Sequence, residues 1–178
     1  MNRCARGRAF TLLEILVVLV IIAGLTALAI PTFQRVLESG RATSCVSNLR
    51  NLGVALSVYL AEHNMMMPTL KTGRATRDED LPTIDNTLDK YVKDRSVFAC
   101  ASDRKWAAMS GTSYSWNNAL NGQRATNLNF LGVVTHQSRI PVLGDKEGFH
   151  PYTESKVNIL YADGHATKDV NFFTGHGK

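Results

Sequence analysis

The sequence predicts an α+β fold, one long N-terminal helix laid against a small antiparallel sheet. Three observations predict it. Phe10 to Phe33 is apolar apart from one charge, Glu14, which is the pattern of a helix apolar all round. Cys45, Leu49, Leu52, Leu56 and Tyr59 then recur at alternating spacings of four and three, the stripe of an amphipathic helix. Near the other end, short apolar runs at 140–143, 157–162 and 166–170 include two separated by Asp163-Gly164, a strong hairpin signal. The 178 residues leave room for one soluble domain beyond the apolar helix, and 44% apolar content is that of a folded chain.

As a helix rising about 1.5 Å per residue, 10–33 covers the roughly 30 Å hydrocarbon core of a bilayer. A carboxylate inside such a segment costs at least about 2.5 kcal/mol, which makes Glu14 a functional candidate. Three readings of this terminus stand. In the first it is a secretory signal, with Arg3, Arg6 and Arg8 as the basic region, 15–28 as the apolar core and Ala27-Leu28-Ala29 as the cleavage site. Against it, Glu14 interrupts the apolar block and Pro31 falls just past the cut. In the second it is a plain membrane anchor and Glu14 has no role. In the third, residues 1–9 are clipped on the cytoplasmic side immediately before Phe10, and the helix stays on the mature chain. Phe10 then carries a new α-ammonium. A buried carboxylate is tolerated when paired. Within one helix the Phe10 amine lies about one turn from Glu14; in a staggered assembly Glu14 meets the amine of a neighbouring copy instead, which sets the register.

The run A-F-T-L-L-E-I-L-V-V-L-V-I-I-A-G-L-T-A-L-A-I-P resembles the N-terminus of type IV pilins and type II secretion pseudopilins. The cleavage site, Phe10, Thr11-Leu12, Glu14, Gly24 and Pro31 fall in the family's order and spacing. Ala9 departs from the Gly usual before the cut, and is small enough for processing to be expected. The resemblance implies a prepilin peptidase that cuts between Ala9 and Phe10 and N-methylates Phe10. It implies assembly through Glu14 and Pro31, with Glu14 meeting the neighbour's amine. The arginines place the N-terminus in the cytoplasm and the chain beyond Pro31 outside, so the family expectation is a single-pass bacterial inner-membrane protein with a periplasmic domain, 34–178.

Pro31 lacks an N–H and is expected to bend the helix. The amphipathic half runs to about His63, giving a helix roughly 80 Å long at about 1.5 Å per residue. Gly40 and Gly53 weaken it by about 1 kcal/mol each relative to Ala. Met65-Met66-Met67 reads as loop-edge packing. Thr69 to Leu88, within the loop 64–96, is polar and mixed in charge and reads as an exposed connection. Leu88, Tyr91 and Val92 suggest one helical turn capped by Thr87 or Asp85. Trp106, Met109, Tyr114 and Trp116 read as core or loop-anchoring aromatics, with an aromatic ligand site as the alternative. Of three cysteines, Cys4 lies in the leader; Cys45 and Cys100 are an even pair on the oxidising side. A bridge would close a loop worth about 4 kcal/mol in the chain-entropy model; two free buried thiols are the alternative.

C-V-S-N-L-R-N-L-G-V-A-L from Cys45, V-F-A-C-A-S-D from Val97, S-Y-S-W-N from Ser113 and V-N-I-L-Y-A-D-G-H from Val157 resemble a broad bacterial group of pseudopilin-like proteins. That group ends in a His, nine residues, then Asp-Gly. Here residues 151–162 stand between His150 and Asp163, three more than the pattern has.

The formal charge of +5 suggests nucleic acid at first sight. Three of those charges are leader arginines, and their loss leaves 17 basic against 15 acidic residues, so no nucleic-acid partner is expected. No nucleophile elbow, His-Glu-x-x-His, phosphate loop or paired-carboxylate spacing is present. His136, His150, His165 and His176 read as turn or surface residues, and no enzyme activity is expected. No Cys-x-x-Cys or clustered His recommends zinc. Calcium is a less remote option: the major pseudopilins the chain resembles bind it in a C-terminal loop, and Asp145 and Glu147 supply hard oxygen donors here. The functional expectation is a pseudopilin that assembles into a periplasmic filament for type II-type protein secretion. Its partners would be prepilin peptidase, further copies or relatives, an inner-membrane assembly platform and membrane lipid. A type IV or minor pilin for adhesion, motility or DNA uptake is the alternative. A soluble exported binding protein with a cleaved signal is the alternative of another class.

Overall fold

The computed structural model of the chain describes residues 11–151 and 156–168. The chain forms two compact units, Met1–Leu37 and Glu38–Lys178. One helix, α1 (Leu12–Glu62), contributes to both and is continuous through Pro31. In the first unit every residue from Thr11 to Leu37 is exposed. That includes Leu12 at 86% and Leu28 at 75%.

In the second unit α1 turns one stripe inward: Glu38, Ala42, Cys45, Val46, Leu49, Leu52, Ala55, Leu56 and Leu60 are buried. The polar Ser47, Arg50, Asn51 and Ser57 stay exposed. The helix ends where Asn64 and Met65 enter left-handed conformation, φ 54° and 59°, and Met65 N–H returns to Leu60 O at 2.8 Å. That tight turn satisfies a carbonyl the last turn would leave open.

The sheet is four-stranded and antiparallel in the order β1 (Tyr114–Trp116), β2 (Pro141–Asp145), β3 (Ile159–Tyr161), β4 (Ala166–Thr167). Tyr114 pairs with Asp145 and Trp116 with Leu143; Leu143 pairs in turn with Leu160, and Leu160 with Ala166. Tyr114, Trp116, Leu143 and Leu160 join the α1 stripe in one core with Phe98, Leu120 and Ile140. Gly53 explains how closely helix and sheet approach. A Cβ placed there would lie 3.1 Å from Leu160 Cδ1, so the missing methyl makes room for β3.

Several expectations change. Tyr114 and Trp116 are core aromatics as expected, but they sit on a strand too short to carry a readable alternation. The β3–β4 turn has three residues, Ala162, Asp163 and Gly164. Tyr161 N–H reaches His165 O at 2.9 Å and Gly164 N–H reaches Tyr161 O at 3.0 Å. Gly164 alone there has positive φ, 88°, the pattern of a turn followed by a left-handed glycine.

The segment 69–88 is no exposed loop throughout. Leu70, Thr83, Ile84, Asp85 and Leu88 are buried, and Arg74 Nη2 pairs with Asp85 Oδ2 at 2.5 Å. Its charge read as solvation because a paired buried carboxylate looks the same in sequence as a solvated one. The expected turn over Leu88, Tyr91 and Val92 is a 3-10 turn, Asp89–Tyr91, with no side-chain cap; the short helix α2 (Ile84–Thr87) just before it starts from Thr83, two residues before Asp85 and four before Thr87. Thr83 N–H donates to Asn86 Oδ1 at 2.9 Å.

The two helix glycines therefore respond differently to alanine. Gly40 has open space around it, so Gly40→Ala gains the helix-propensity difference of about 1 kcal/mol. Gly53→Ala pushes on Leu160, offsetting that gain. Thermal unfolding of the two variants checks this; an equal rise in Tm for both would contradict the close packing.

Candidate functional site

Two places hold the polar groups of interest, one in each unit. At the start of α1, Thr11 N–H and Thr11 Oγ1–H donate to Glu14 Oε2 at 2.8 and 3.0 Å, and Glu14 N–H donates to Thr11 Oγ1 at 3.2 Å. This is a capping box, Thr at the cap and Glu three residues on. Glu14 thus has a local task that its charge alone does not announce. The spacing T-L-L-E was the readable signal for it. Ala9 and Phe10, the cleavage and methylation positions, lie outside the described residues. Pro31 is exposed within α1.

The second place begins at Glu38, the first buried residue of α1. Its Oε1 accepts from Ser102 Oγ and lies 2.9 Å from His150 Nδ1; Arg41 Nη1 is 3.5 Å from Oε2. Burial pushes the Glu38 carboxyl up, but the bonds from Ser102 and His150 and the charges of His150 and Arg41 outweigh it, holding it below the ordinary range. A carboxylate only accepts, so His150 Nδ1 carries the proton and, in the neutral ring, Nε2 is the acceptor nitrogen. Nε2 faces Cys100 Sγ at 3.4 Å and Asp145 Oδ2 at 3.6 Å. Cys100 is bridged to Cys45, with Cα atoms 5.0 Å apart.

His150 is wholly buried, which corrects its reading as a turn or surface residue. These partners sit 112, 50 and 5 positions away, at Glu38, Cys100 and Asp145, so only the last lies near enough in sequence to leave a local clue. His136 and His165 are exposed, and His165 Nδ1 lies 2.5 Å from Asp163 Oδ1 in the β3–β4 turn. His176 lies outside the described residues.

Asp145 ends β2 with its side chain fully buried. Oδ2 accepts from Asn158 N–H at 2.8 Å and Asn158 Nδ2 at 2.9 Å; Oδ1 has no hydrogen-bond partner among the described residues. Burial pushes the carboxyl up to about 7, only partly offset by Asn158. The paired Tyr114 phenol is pushed up by burial, with the Asp145 charge adding to it. Glu147, the other calcium candidate, is exposed. In the sequence the two acids stand two positions apart, and β2 turns the Asp145 side chain inward while Glu147 lies beyond the strand.

The turn bearing Cys100 is held by Asp103. Cys100 N–H donates to Ser113 Oγ at 2.8 Å, and Ser113 Oγ–H donates to Asp103 Oδ2 at 2.6 Å. Asp103 also accepts from the N–H groups of Lys105, Trp106 and Ala107, opening the short helix α3 (Trp106–Ser110). Ala101 N–H donates to Cys45 Sγ at 3.2 Å.

Comparison of the chain with protein-family models, with curated proteins and with solved structures finds no match.

Asp103 generates a pH prediction. Burial raises its carboxyl, but the bonds from Ser113, Lys105, Trp106 and Ala107 bring it below 3.8, the value of the unperturbed group. A lowered folded-state value means stability that is fully present above 3.8 and lost as pH falls through the folded value. Asp103→Asn therefore costs about 1–3 kcal/mol at neutral pH, and its unfolding curve converges on the wild type in acid. A deficit that stays constant down to low pH would contradict this.

Proposed function

We propose that the chain is a structural, filament-forming subunit of the pilin type, a pseudopilin that serves type II-type protein secretion. One observation carries the reading. The same helix that is buried along one stripe in the second unit is, from Thr11 to Leu37, exposed at every residue and charged at only Glu14 and Arg35. This half is long and apolar enough to cross a membrane, and large exposed apolar surfaces mark membrane or protein contacts. A signal sequence destined for removal needs no acid at the fifth position after a basic leader.

In this reading residues 1–9 stay cytoplasmic until a prepilin peptidase removes them after Ala9 and methylates Phe10. Lipid covers the apolar half before assembly and neighbouring helices cover it afterwards. The inner membrane holds the subunit and the second unit lies in the periplasm. Glu14 compensates the Phe10 amine of a neighbour and fixes the stagger. A long surface pilus together with a retraction motor would mark a type IV pilin instead.

The capping box supplies the sharpest test, because Gln at the same position keeps the cap and removes the charge. Both Glu14→Gln and Glu14→Ala should insert in the membrane. Both should lose the ladder of crosslinked copies seen for the wild type in cells carrying the assembly machinery. A wild-type ladder from Glu14→Gln would leave capping as the task of Glu14 and overturn the assembly role.

A further inference from the structure

The buried cluster of the second unit has ligand atoms of a second kind of bond. We propose that, when the Cys45–Cys100 disulfide is reduced, Cys45, Cys100 and His150 hold one Zn2+, with the carboxylate of Asp145 as the fourth ligand. The Sγ atoms and a ring nitrogen of His150 all lie within 4.8 Å of one another, and all three residues are buried. Zinc bonds of about 2.0–2.3 Å in a tetrahedron set neighbouring ligands roughly 3.3–3.8 Å apart. Cys100 Sγ and Asp145 Oδ2 stand 3.4 and 3.6 Å from His150 Nε2, so those two edges are already formed. A rotation of the freed Cys45 side chain supplies the remaining sulfur.

The surroundings fit a zinc centre. A metal-bound His donates its other ring N–H to a carboxylate or carbonyl, which fixes the tautomer. His150 Nδ1 does so to Glu38, itself held by Ser102. The N–H of Ala101 donates to Cys45 Sγ, a contact that favours the thiolate over the thiol. A divalent cation would also give a countercharge to the buried Asp145, whose Oδ1 has no hydrogen-bond partner among the described residues.

The bridge and the metal exclude each other, because the ligand is a thiolate and a disulfide sulfur is not one. A dithiol reductant passes two electrons to the bridge, leaves as a cyclic disulfide and yields two cysteine thiols. Zn2+ then binds both sulfurs and releases their two protons. The cluster is thereby a closed site in either state, covalent when oxidised and metal-held when reduced.

The test uses the full chain in detergent micelles, with Cys4→Ser so that the leader contributes no thiol. The protein is reduced with a dithiol, freed of it without air, and titrated with Co2+. One equivalent should give the intense visible bands of tetrahedral cobalt and a thiolate charge-transfer band, both erased by one equivalent of Zn2+. The oxidised chain should give neither, and Zn2+ should raise the Tm of the reduced chain alone. His150→Ala should lose the tetrahedral bands, and Glu38→Gln should weaken Zn2+ binding by about 10–100-fold. Absence of the bands in the reduced wild type overturns the proposal without reliance on any variant. So does a band of equal strength in the oxidised chain or in His150→Ala.

Discussion

A single helix faces two environments, and the change comes at one step, between Leu37 and Glu38. Before it every described residue of α1 is exposed; after it a stripe is buried at helical spacing. An apolar surface of that length costs free energy in water in proportion to its area. Within hydrocarbon each backbone polar group must be satisfied inside the segment, which a helix does by itself. The polar side chains of the exposed half follow the same rule. Thr26 Oγ1 donates to Ile22 O at 2.6 Å and Thr32 Oγ1 to Leu28 O at 3.3 Å. Thr11 and Glu14 satisfy each other at the first turn. Thr11, Glu14, Thr26 and Thr32 are thus closed upon their own helix.

The second unit is held on different terms. Its first buried side chain is an acid, tolerated because Ser102 and His150 bond it. Removing one partner of such a buried pair costs more than the pair contributes. The loops with little regular structure are tied to the helix stripe at particular points. Cys100 is bridged to Cys45, and Asn48 Nδ2 donates to Ala99 O at 3.0 Å. Arg50 Nη2 donates to Ala166 O at 3.3 Å, bringing in β4. Two- to five-residue strands make few ladder bonds, so these ties and the core of Leu49, Leu52, Tyr114 and Trp116 supply much of what holds the sheet to the helix.

What could be read in the sequence was what repeats. The apolar run and the four-three stripe gave α1 nearly to its end, His63 against Glu62, because helical burial imposes a period. Three of the four sheet strands showed as apolar runs, and Asp163-Gly164 marked the turn although its length came out one residue longer. What does not repeat stayed hidden. Tyr114–Trp116 is three residues long, too short for any period to declare itself. Asp85 and Arg74 looked solvated because only three-dimensional placement pairs them. The cluster at His150 joins residues from α1, the Cys100 turn, β2 and the segment after it, and no local spacing encodes such a meeting. Nor does spacing show that His150 turns to Glu38 while Asp163 pairs with His165.

The account stands on the apolar half of α1 staying with the working protein while the basic leader goes. The direct measurement is the N-terminus of the protein recovered from membranes of its own cells, by Edman degradation and intact mass. The account predicts N-methylated Phe10 as the first residue. A first residue near Ile30, as a signal peptidase would leave, or a chain still beginning at Met1 would contradict it.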